Sequence, residues 1–517
     1  MTATDTSHAP PTARPTAPAA TALTTVAAAA GGITLLLRLA LAGGSFDLFG
    51  DEVIYTDLGH SVASGGFPRI DGQLFFLHPP GFFYLEAGWE WLLGHQPGMI
   101  AGVYQMRMLN ALLAAATAVV LVLLVARAGS LRAAAAAGLV FAVDPFCIRQ
   151  NDRVLLETAM MLWVLLGYLA LVSLIGRLPS RQAYARAVGA GLLFGCAVLT
   201  KDEAALLTVL PLIAAVALRW GPSRSLALVT AATTVAAYAA YVIAVAAAGE
   251  FSALWLAKTT GVRRLLGLVQ TTGFNRPRAP SLSTRLISEV GSFGVTYVIL
   301  AMSVPALVLV LRRGGAPQRV LGMLHVAAAL ALGYGLILGT LEEQELYILL
   351  VPSLLTLAVG AALWRVRAGE RWGMPKTVAI ITAVIVALSL SFTTCLRWLL
   401  TPDDGYAQLR LYMAAHVPAG AAVTGVDGTT ERGVTAWVLG DRYRIGRWVT
   451  PAARSQERVR YVVVPWEEVD QDYSYLTRAQ VRDLIEHGRL VFSYRGRTYG
   501  DLALYQLALT PGTGHAP

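Results

Sequence analysis

Apolar runs of about 20 residues recur along most of this chain, and they constrain its fold more than any other feature. A run of that length crosses the roughly 30 Å hydrocarbon core of a bilayer as an α-helix. Only 14% of the 517 residues are charged, whereas an average soluble domain has about 25%. The runs therefore predict an all-α polytopic membrane protein with about 11 transmembrane helices. The predicted spans are 24–44, 103–126, 132–147, 156–176, 187–200, 204–219, 225–248, 291–311, 319–339, 346–364 and 377–400.

The short loops between these spans separate by charge and so predict an orientation. Alternate loops are rich in arginine and nearly free of acid, and short basic loops stay in the cytoplasm. The N-terminus is therefore predicted to lie inside, the number of spans to be odd, and the long loop 45–102 to lie outside. The basic loops carry Arg127 and Arg132; Arg177, Arg181 and Arg186; Arg219 and Arg224; Arg312, Arg313 and Arg319; and Arg365, Arg367, Arg371 and Lys376.

The composition predicts three regions. Residues 1–23, rich in Ala, Thr and Pro, read as a disordered cytoplasmic tail, and residues 24–400 as the transmembrane domain. Residues 402–517 read as a small extracytoplasmic α/β domain, with helices near 404–416 and 478–487 and strands near 421–426, 460–465, 489–495 and 501–507. Abundant Ala, Gly and Arg favour a bacterial source and hence the bacterial cytoplasmic membrane. The net charge of +9 does not indicate a nucleic-acid partner, because the arginines follow the loops.

An acidic pair, Asp51 and Glu52, follows the first span directly. Gly50 is expected to break the first helix and Asp51 to cap a second one, which the glycine pair at 65 and 66 ends. The apolar positions of this second helix fall mostly on one face, which predicts an amphipathic helix lying on the membrane surface. Two prolines then restrict His78 in "HPPGFFYL". A second long loop, 249–290, contains another amphipathic stretch with Arg263 and Arg264 on the predicted outer side.

Four sequence motifs together resemble a known family. "FGDEVIYTDLGHSVASGGFP" followed by "FFLHPPGFFYLEAGWEWLLG" resembles the first outer loop of the GT-C superfamily of membrane glycosyltransferases. "DPFCIRQNDRVLLETAMML", "GLLFGCAVLTKDEAALLTVLP" and "EEQELYILLVPSLLTLAVG" are similar to later motifs of that family, in the family's order. The likeness spans about residues 45–365. It is greatest to the branch of protein O-mannosyltransferases and lipid A aminoarabinose transferases (glycosyltransferase family 39/83-like).

The resemblance implies a GT-C fold and transfer of one sugar, with inversion, from a polyprenyl-phosphate donor to an acceptor hydroxyl at the outer face. It makes Asp51 the catalytic base; Glu52 is either the base itself or a residue that orients the acceptor. A carboxylate with an ordinary pKa near 4 would be ionised before the reaction. The alternative for Asp51 is a capping role only. The residues assigned to the donor phosphate are Lys201, Arg263, Arg264, His78, which stands where relatives often have Lys, and Tyr347.

Each of these donor residues also has a plainer reading. Lys201 can be a snorkelling lysine, the two arginines can anchor lipid headgroups, and Tyr347 can belong to the aromatic belt. Charges in the second outer motif imply a watery cavity or mutual pairing. Asp144 or Asp152 would bind the acceptor or position the base, and Asp152 with Arg153 is alternatively a structural pair.

The expected partners are the bilayer, the polyprenyl-phosphate sugar and an acceptor, which is a glycan, a glycolipid, a protein or a peptide natural product. No cofactor is expected, and no metal is assigned because no HxxxH or DxD spacing occurs where it would be needed, although a divalent metal stays open. The sugar stays open as well. A transporter or flippase is the competing class, but it predicts internal repeats and charges at mid-helix. A non-catalytic lipid-binding or assembly protein would leave the clustered acids unexplained.

Overall fold

The computed structural model describes residues 17–268, 279–368, 374–428 and 432–508. Each predicted span coincides with a helix of the membrane bundle, and α5 and α6 share one span. The bundle helices are α1 (Ala17–Leu41), α4 (Met99–Ala128), α5 (Leu131–Val143), α6 (Pro145–Asn151), α7 (Leu156–Val172), α8 (Arg181–Thr200), α9 (Ala204–Leu218), α10 (Arg224–Ala247), α12 (Leu282–Arg313), α13 (Ala316–Leu338), α14 (Leu346–Ala368) and α15 (Met374–Leu400). Three further helices, α2 (Gly50–Ala63), α3 (Gly81–Leu93) and α11 (Phe251–Leu265), connect them.

Helix length decides how many of these elements qualify as spans. Within the described residues, eight helices are long and apolar enough to cross a membrane, or nine if the bent pair α5 and α6 counts as one span. The predicted eleven also include α7 and α9, which are apolar but only 17 and 15 residues long. The chain is therefore a multi-pass membrane protein. Helix α1 begins at Ala17, so 17–23 of the predicted tail are helical, while 1–16 lie outside the described residues.

Small residues allow the bundle helices to approach closely. A Cβ at Gly191 of α8 would lie 2.5 Å from the carbonyl oxygen of Thr230 on α10, and a Cβ at Gly195 would lie 2.5 Å from Ala237 Cβ. Such contacts are typical of helix packing in lipid. The one arginine of α1, Arg38, is buried and donates hydrogen bonds to the carbonyls of Phe141 and Ala142 at the end of α5. The free carbonyls of that helix end thus balance a charge inside the bundle.

The C-terminal region is a five-stranded sheet with short helices. The strand order is β4-β3-β5-β7-β6, with β3 parallel to both of its neighbours and β7 antiparallel to β5 and β6. The predicted strand at 460–465 is the central β5 and is buried along its whole length, as expected. The helices and strands of this C-terminal region are α16 (Gly405–His416), β3 (Ala422–Gly425), α17 (Val434–Leu439), β4 (Arg444–Gly446), α18 (Pro451–Glu457), β5 (Tyr461–Pro465), α19 (Trp466–Asp470), α20 (Arg478–Ile485), β6 (Gly488–Arg495) and β7 (Asp501–Leu507).

This sheet domain packs on the end of the bundle that carries the acidic pair. The Asp403 N–H donates to the Gly44 carbonyl over 2.7 Å, and the Tyr406 N–H donates to Asp47 Oδ2 over 3.0 Å. The buried Tyr499 hydroxyl donates to the Leu48 carbonyl. We call this end of the bundle the site end. The loop before α2 and the start of the sheet domain therefore lie at the same end of the bundle.

Helix α2 is enclosed by protein. Its apolar side chains Val53, Leu58 and Val62 are completely or almost completely buried, in one cluster with Tyr406 and Leu409 of the sheet domain. The other elements around it are α3, α4 and the two-stranded hairpin of β1 (Arg69–Ile70) and β2 (Gln73–Leu74). The apolar face on which the prediction of a membrane-surface helix rested is therefore covered by α3, α4 and the sheet domain.

Candidate functional site

Asp51 does not serve as the cap of α2. Phe49 holds the N-cap position with an extended backbone, and Asp51 lies inside the first turn. The Asp51 side chain is partly buried, and its Oδ2 accepts a long hydrogen bond of 3.4 Å from Gln344 Nε2. The predicted capping role was thus wrong, and the carboxylate is not occupied by the backbone of its own helix.

Glu52, the neighbour of Asp51, is fully buried and saturated with donors. Arg107 of α4 donates to both of its oxygens over 2.8 Å, through Nε and Nη2. The N–H groups of Val154 and Phe49 donate to Oε1 and Oε2 over 2.8 and 3.0 Å. Four donors fill the hydrogen-bonding capacity of one carboxylate. Of the acidic pair, only Asp51 therefore has a carboxylate free for a substrate proton.

Lys201 lies at the end of α8 within an acidic cluster. Its Nζ is 2.8 Å from Glu157 Oε1, 3.2 Å from Glu203 Oε2 and 3.5 Å from Glu345 Oε1. These three carboxylates come from α7, the α8–α9 connection and the 3-10 turn before α14. Lys201 is buried and so is not a snorkelling residue. It joins three parts of the bundle close to Asp51.

The surroundings of Asp51 change its acidity. The pKa of Asp51 is raised to about 7, first by burial and then by the negative charges of Glu342 and Glu157, while Arg264 and Lys201 oppose the shift. The ordinary value near 4 expected from the sequence was therefore wrong. A carboxylate with a pKa near the working pH accepts a proton more readily than an ordinary aspartate. The site thus holds one carboxylate suited to proton transfer, facing a lysine and an arginine.

His78 and Lys258 belong to the same group of residues at the site end. His78 stands next to Tyr55 of α2, with 3.4 Å between its Nε2 and the Tyr55 hydroxyl. Burial, and then the charges of Lys201, Lys258 and Arg264, lower the pKa of His78 well below its usual value, so the imidazole is neutral. The α11 residue Lys258 is held by Asp202 Oδ2 over 2.7 Å and by the Leu77 carbonyl over 3.2 Å.

Helix α11 places its arginines differently in relation to Asp51. Arg263 and Arg264 both lie in its last turn, but Arg263 is exposed whereas Arg264 is partly buried. The charge of Arg264 also lowers the pKa of Asp51. Arg264 is therefore the arginine of the pair that faces the site.

An apolar cavity of about 600 Å³ opens between α8, α9 and α10 next to this group. Valine, alanine and isoleucine side chains form most of its wall, and Asp202 and Tyr238 are among its few polar lining residues. Tyr238 donates to Asp202 Oδ1 over 2.8 Å, and Asp202 is also the partner of Lys258. The cavity therefore connects an apolar wall to the charged residues of the site end.

The remaining predicted residues are placed away from an open site. Asp144 caps α6 by accepting from the Cys147 N–H over 2.9 Å, and it accepts from Thr296 over 2.8 Å, so its contacts are structural. Tyr347 is fully buried in the bundle core and does not line a donor site. These two predicted roles do not agree with the positions of the side chains.

Asp152 and Arg153 do not form the pair that the sequence suggested. Asp152 is buried, and neither of its oxygens has a hydrogen-bond partner among the described residues. Burial raises its pKa well above the usual value, although Arg38 and Arg107 oppose the shift. Arg153 instead lies over the Phe49 ring, with 4.8 Å from guanidinium carbon to ring centroid, and donates to Thr498 of the sheet domain.

Sequence reasoning did not assign several residues of this group. Tyr55, Glu157, Glu345 and Lys258 all contact the predicted residues or shift their acidity. Helical spacing offered one signal, because Tyr55 lies four residues after Asp51 and therefore on the same face of α2. The contacts between Lys201 and acids of distant helices have no local sequence signal.

Comparison with known proteins agrees with this fold. Residues 75–260 match the family model described as dolichyl-phosphate-mannose-protein mannosyltransferase. No curated protein matches the chain by sequence. ArnT from Cupriavidus metallidurans bound to undecaprenyl phosphate is similar in structure, with a TM-score of 0.56 and 13% identity over 97% of this chain and 100% of ArnT.

Archaeal proteins share the architecture too. The apo oligosaccharyltransferase of Archaeoglobus fulgidus gives a TM-score of 0.56 at 14% identity, over 95% of this chain and 75% of that protein. AglB from the same organism, in complex with an inhibitory peptide and a dolichol-phosphate, gives a TM-score of 0.54 at 13% identity, over 95% and 74%.

The structural likeness shows that this multi-pass membrane protein has the GT-C fold that these glycosyltransferases share. Residues 75–260 are similar in sequence to the protein mannosyltransferases, and almost the whole chain is similar in structure to ArnT. The resemblance inferred from the four motifs is confirmed.

Proposed function

We propose that this protein transfers one sugar from a polyprenyl-phosphate donor to an acceptor hydroxyl at the outer face of a bacterial cytoplasmic membrane, with inversion of the anomeric carbon. The observation that carries the proposal is the environment of Asp51, which is partly open, has a pKa near 7 and lies close enough to Lys201 and Arg264 for their charges to lower that pKa. Two structural neighbours were solved with dolichol-phosphate or undecaprenyl phosphate, which supports a donor of that kind.

In the proposed reaction, Asp51 takes the proton of the acceptor hydroxyl as the oxygen attacks the anomeric carbon. The new carbon–oxygen bond forms while the bond from that carbon to the phosphate oxygen breaks. The electron pair leaves with the polyprenyl phosphate, whose added charge is stabilised by Arg264 and Lys201. Because attack and departure occur on opposite faces of the sugar, one displacement inverts the configuration.

The cavity between α8, α9 and α10 gives the donor lipid a place. Its apolar wall suits a prenyl chain, and its polar residue Asp202 binds Lys258 on α11. The phosphate of a donor whose prenyl chain lies there would meet Lys258 and the neutral imidazole of His78. Lys201, Lys258 and Arg264 are all close enough to His78 to lower its pKa. We propose no metal for this chemistry, because the cations present on the chain can neutralise the leaving phosphate.

The central experiment measures label transfer by the purified protein in proteoliposomes. Polyprenyl-phosphate [14C]mannose is the donor probe, and lipid and polymer fractions from a strain that lacks the gene are the acceptors. We expect Asp51→Asn to lower transfer by about 10²-fold or more while donor binding is retained. Asp57→Asn, on the same helix, is the matched control and should transfer normally. Normal turnover by Asp51→Asn would remove Asp51 as the base.

The same vesicles separate an enzyme from a transporter. Label that moves across the bilayer without entering an acceptor would favour the flippase reading. The configuration of the product, read by NMR coupling constants of the anomeric proton, tests inversion; a retained configuration would contradict the single-displacement mechanism.

A further inference from the structure

A cluster of metal-binding side chains lies away from the proposed catalytic residues. His60 in the last turn of α2, Glu90 on α3 and His95 just after α3 bring one ligand atom each to within 4.8 Å of the others. Both imidazole Nδ1 atoms lie 3.0 Å from the same oxygen, Glu90 Oε1. Nine residues of helix separate His60 from Asp51, which is about 13 Å along the axis of α2.

The spacing of these atoms suits a small cation. Bonds of about 2.0 to 2.1 Å in a tetrahedral zinc site place neighbouring ligand atoms roughly 3.3 Å apart. The two measured separations of 3.0 Å come close to that value, so a cation fits after small rotations of the side chains. The rings of His60 and His95 are also close, with centroids 4.3 Å apart and planes tilted by 31°. A cation bound by both imidazoles would stabilise this close arrangement of the two rings.

The surrounding chain holds the ligands in place. Gln105 of α4 donates to the carbonyl of Gly94 over 2.8 Å, next to His95, and accepts at its own carbonyl from Trp89 over 2.9 Å. Gly94 and Gly98 bound the loop that carries His95, both with φ near +85°. Side chains held by such outer contacts bind metals more tightly than free ones.

A buried carboxyl group behind the cluster is a second, independent observation. Glu86 lies one helical turn before Glu90 on α3 and is completely buried, and neither of its oxygens has a hydrogen-bond partner among the described residues. Its Oε2 lies 3.0 Å from the position that a Cβ on Gly59 would take, directly before His60. An unsatisfied buried carboxyl group is costly, and a cation bound by Glu90 one turn away would reduce that cost.

We propose that His60, Glu90 and His95 form a binding site for a zinc-type divalent cation that joins the end of α2 to α3. Two imidazole nitrogens favour zinc, cobalt or nickel over magnesium or calcium, which prefer oxygen ligands only. Three protein ligands leave a fourth position for water. The cation fixes the far end of the helix that carries Asp51, so its role is structural and separate from proton transfer.

Metal content tests the site without any activity assay. The full-length protein in detergent is stripped with a chelator, reloaded with zinc or cobalt and dialysed. We expect about one equivalent per chain, a tetrahedral cobalt spectrum and a higher melting temperature with metal. The double variant His60→Ala/His95→Ala should bind at least about tenfold more weakly. His416→Ala, which changes an exposed histidine of the sheet domain, is the control and should bind as the unaltered chain does.

Two results would overturn the site. One is equal metal binding by the double variant and the unaltered protein; the other is no binding by the unaltered protein at a micromolar excess of zinc. If the double variant does not fold, the cobalt spectrum of the unaltered protein decides, because a spectrum without nitrogen ligands contradicts the assignment. Asp51→Asn should keep the metal while losing transfer, so failure of the proposed reaction is distinguishable from failure of the site.

Discussion

Two adjacent carboxyl groups on α2 have opposite environments. Glu52 accepts four hydrogen bonds and pairs with Arg107, whereas Asp51 has one long hydrogen bond and a raised pKa. Successive residues of a helix point about 100° apart, so only one member of such a pair can face a given pocket. The sequence could indicate that one residue of the pair acts as the base. Which of the two it is depends on Arg107, which pairs with Glu52 and is distant from it in the chain.

The raised pKa of Asp51 predicts the pH dependence of transfer. A base works only when deprotonated, so kcat/KM should fall as the pH drops through about 7 and level off above it. Glu342→Gln removes a negative charge that raises this pKa, and it should shift the fall to lower pH. The measurement is a pH profile of transfer for both proteins.

Glu457→Gln, in an exposed ion pair of the sheet domain, is the control and should leave the profile unchanged. A fall centred near pH 4 in the unaltered enzyme would contradict the environment described for Asp51.

The buried ion pair of Glu52 predicts a large effect on stability. Arg107→Met leaves a carboxylate buried without its partner, which costs about 3 to 5 kcal/mol. The exposed pair of Arg444 and Glu457 should contribute only about 0 to 1 kcal/mol, so Arg444→Met is the matched control. Thermal unfolding in detergent measures both. Equal melting temperatures for the two variants would argue against a structural role for Glu52.

At the scale of elements, α3 is fixed on α8 by a glycine contact. A Cβ at Gly81 would stand 2.6 Å from the carbonyl oxygen of Leu199, a backbone atom that cannot move alone. Gly81→Ala should therefore push α3 away and lower stability by about 1 to 3 kcal/mol. Gly88 lies on the same helix with nothing within 4 Å of its Cβ position, so Gly88→Ala should stabilise the helix by up to about 1 kcal/mol.

Melting temperatures in detergent compare these two glycine variants. If Gly81→Ala melts at or above the temperature of Gly88→Ala, the close approach of α3 and α8 is not required.

The elements were largely predictable from the sequence, and their partners were not. Apolar runs and loop charges located every bundle helix, since those signals are local. The sheet strands also followed from alternation and turn residues, except the three-residue β4. The burial of α2 was not predictable, because its apolar face looks the same whether lipid or Tyr406 covers it. Lys201 likewise gave no sign of Glu157 and Glu345, its two acidic partners that are distant in the chain.

At the scale of the whole molecule, the acidic pair and the sheet domain lie at the same end of the bundle. This placement predicts which introduced cysteines a membrane-impermeant reagent can reach. In a Cys196→Ala background, Pro97→Cys and Asp441→Cys should react with a membrane-impermeant maleimide on intact cells. Leu178→Cys, an exposed site in the α7–α8 loop at the opposite end, should react only after permeabilisation.

Different labelling of residues 97 and 441 would contradict the packing of the sheet domain on the site end. Labelling of both only after permeabilisation would reverse the orientation and remove the outer-face reaction.

The contact of the sheet domain with the loop before α2 has a consequence for biosynthesis. Leu48 leaves the ribosome 451 residues before Tyr499, so the enclosure of α2 closes only after the whole bundle has been synthesised. Until then, the side of α2 that packs against Tyr406 and Leu409 has no cover. A nonsense mutation late in the gene would yield a chain that inserts fully into the bilayer yet lacks a finished catalytic face, and quality-control proteases would meet its uncovered helix.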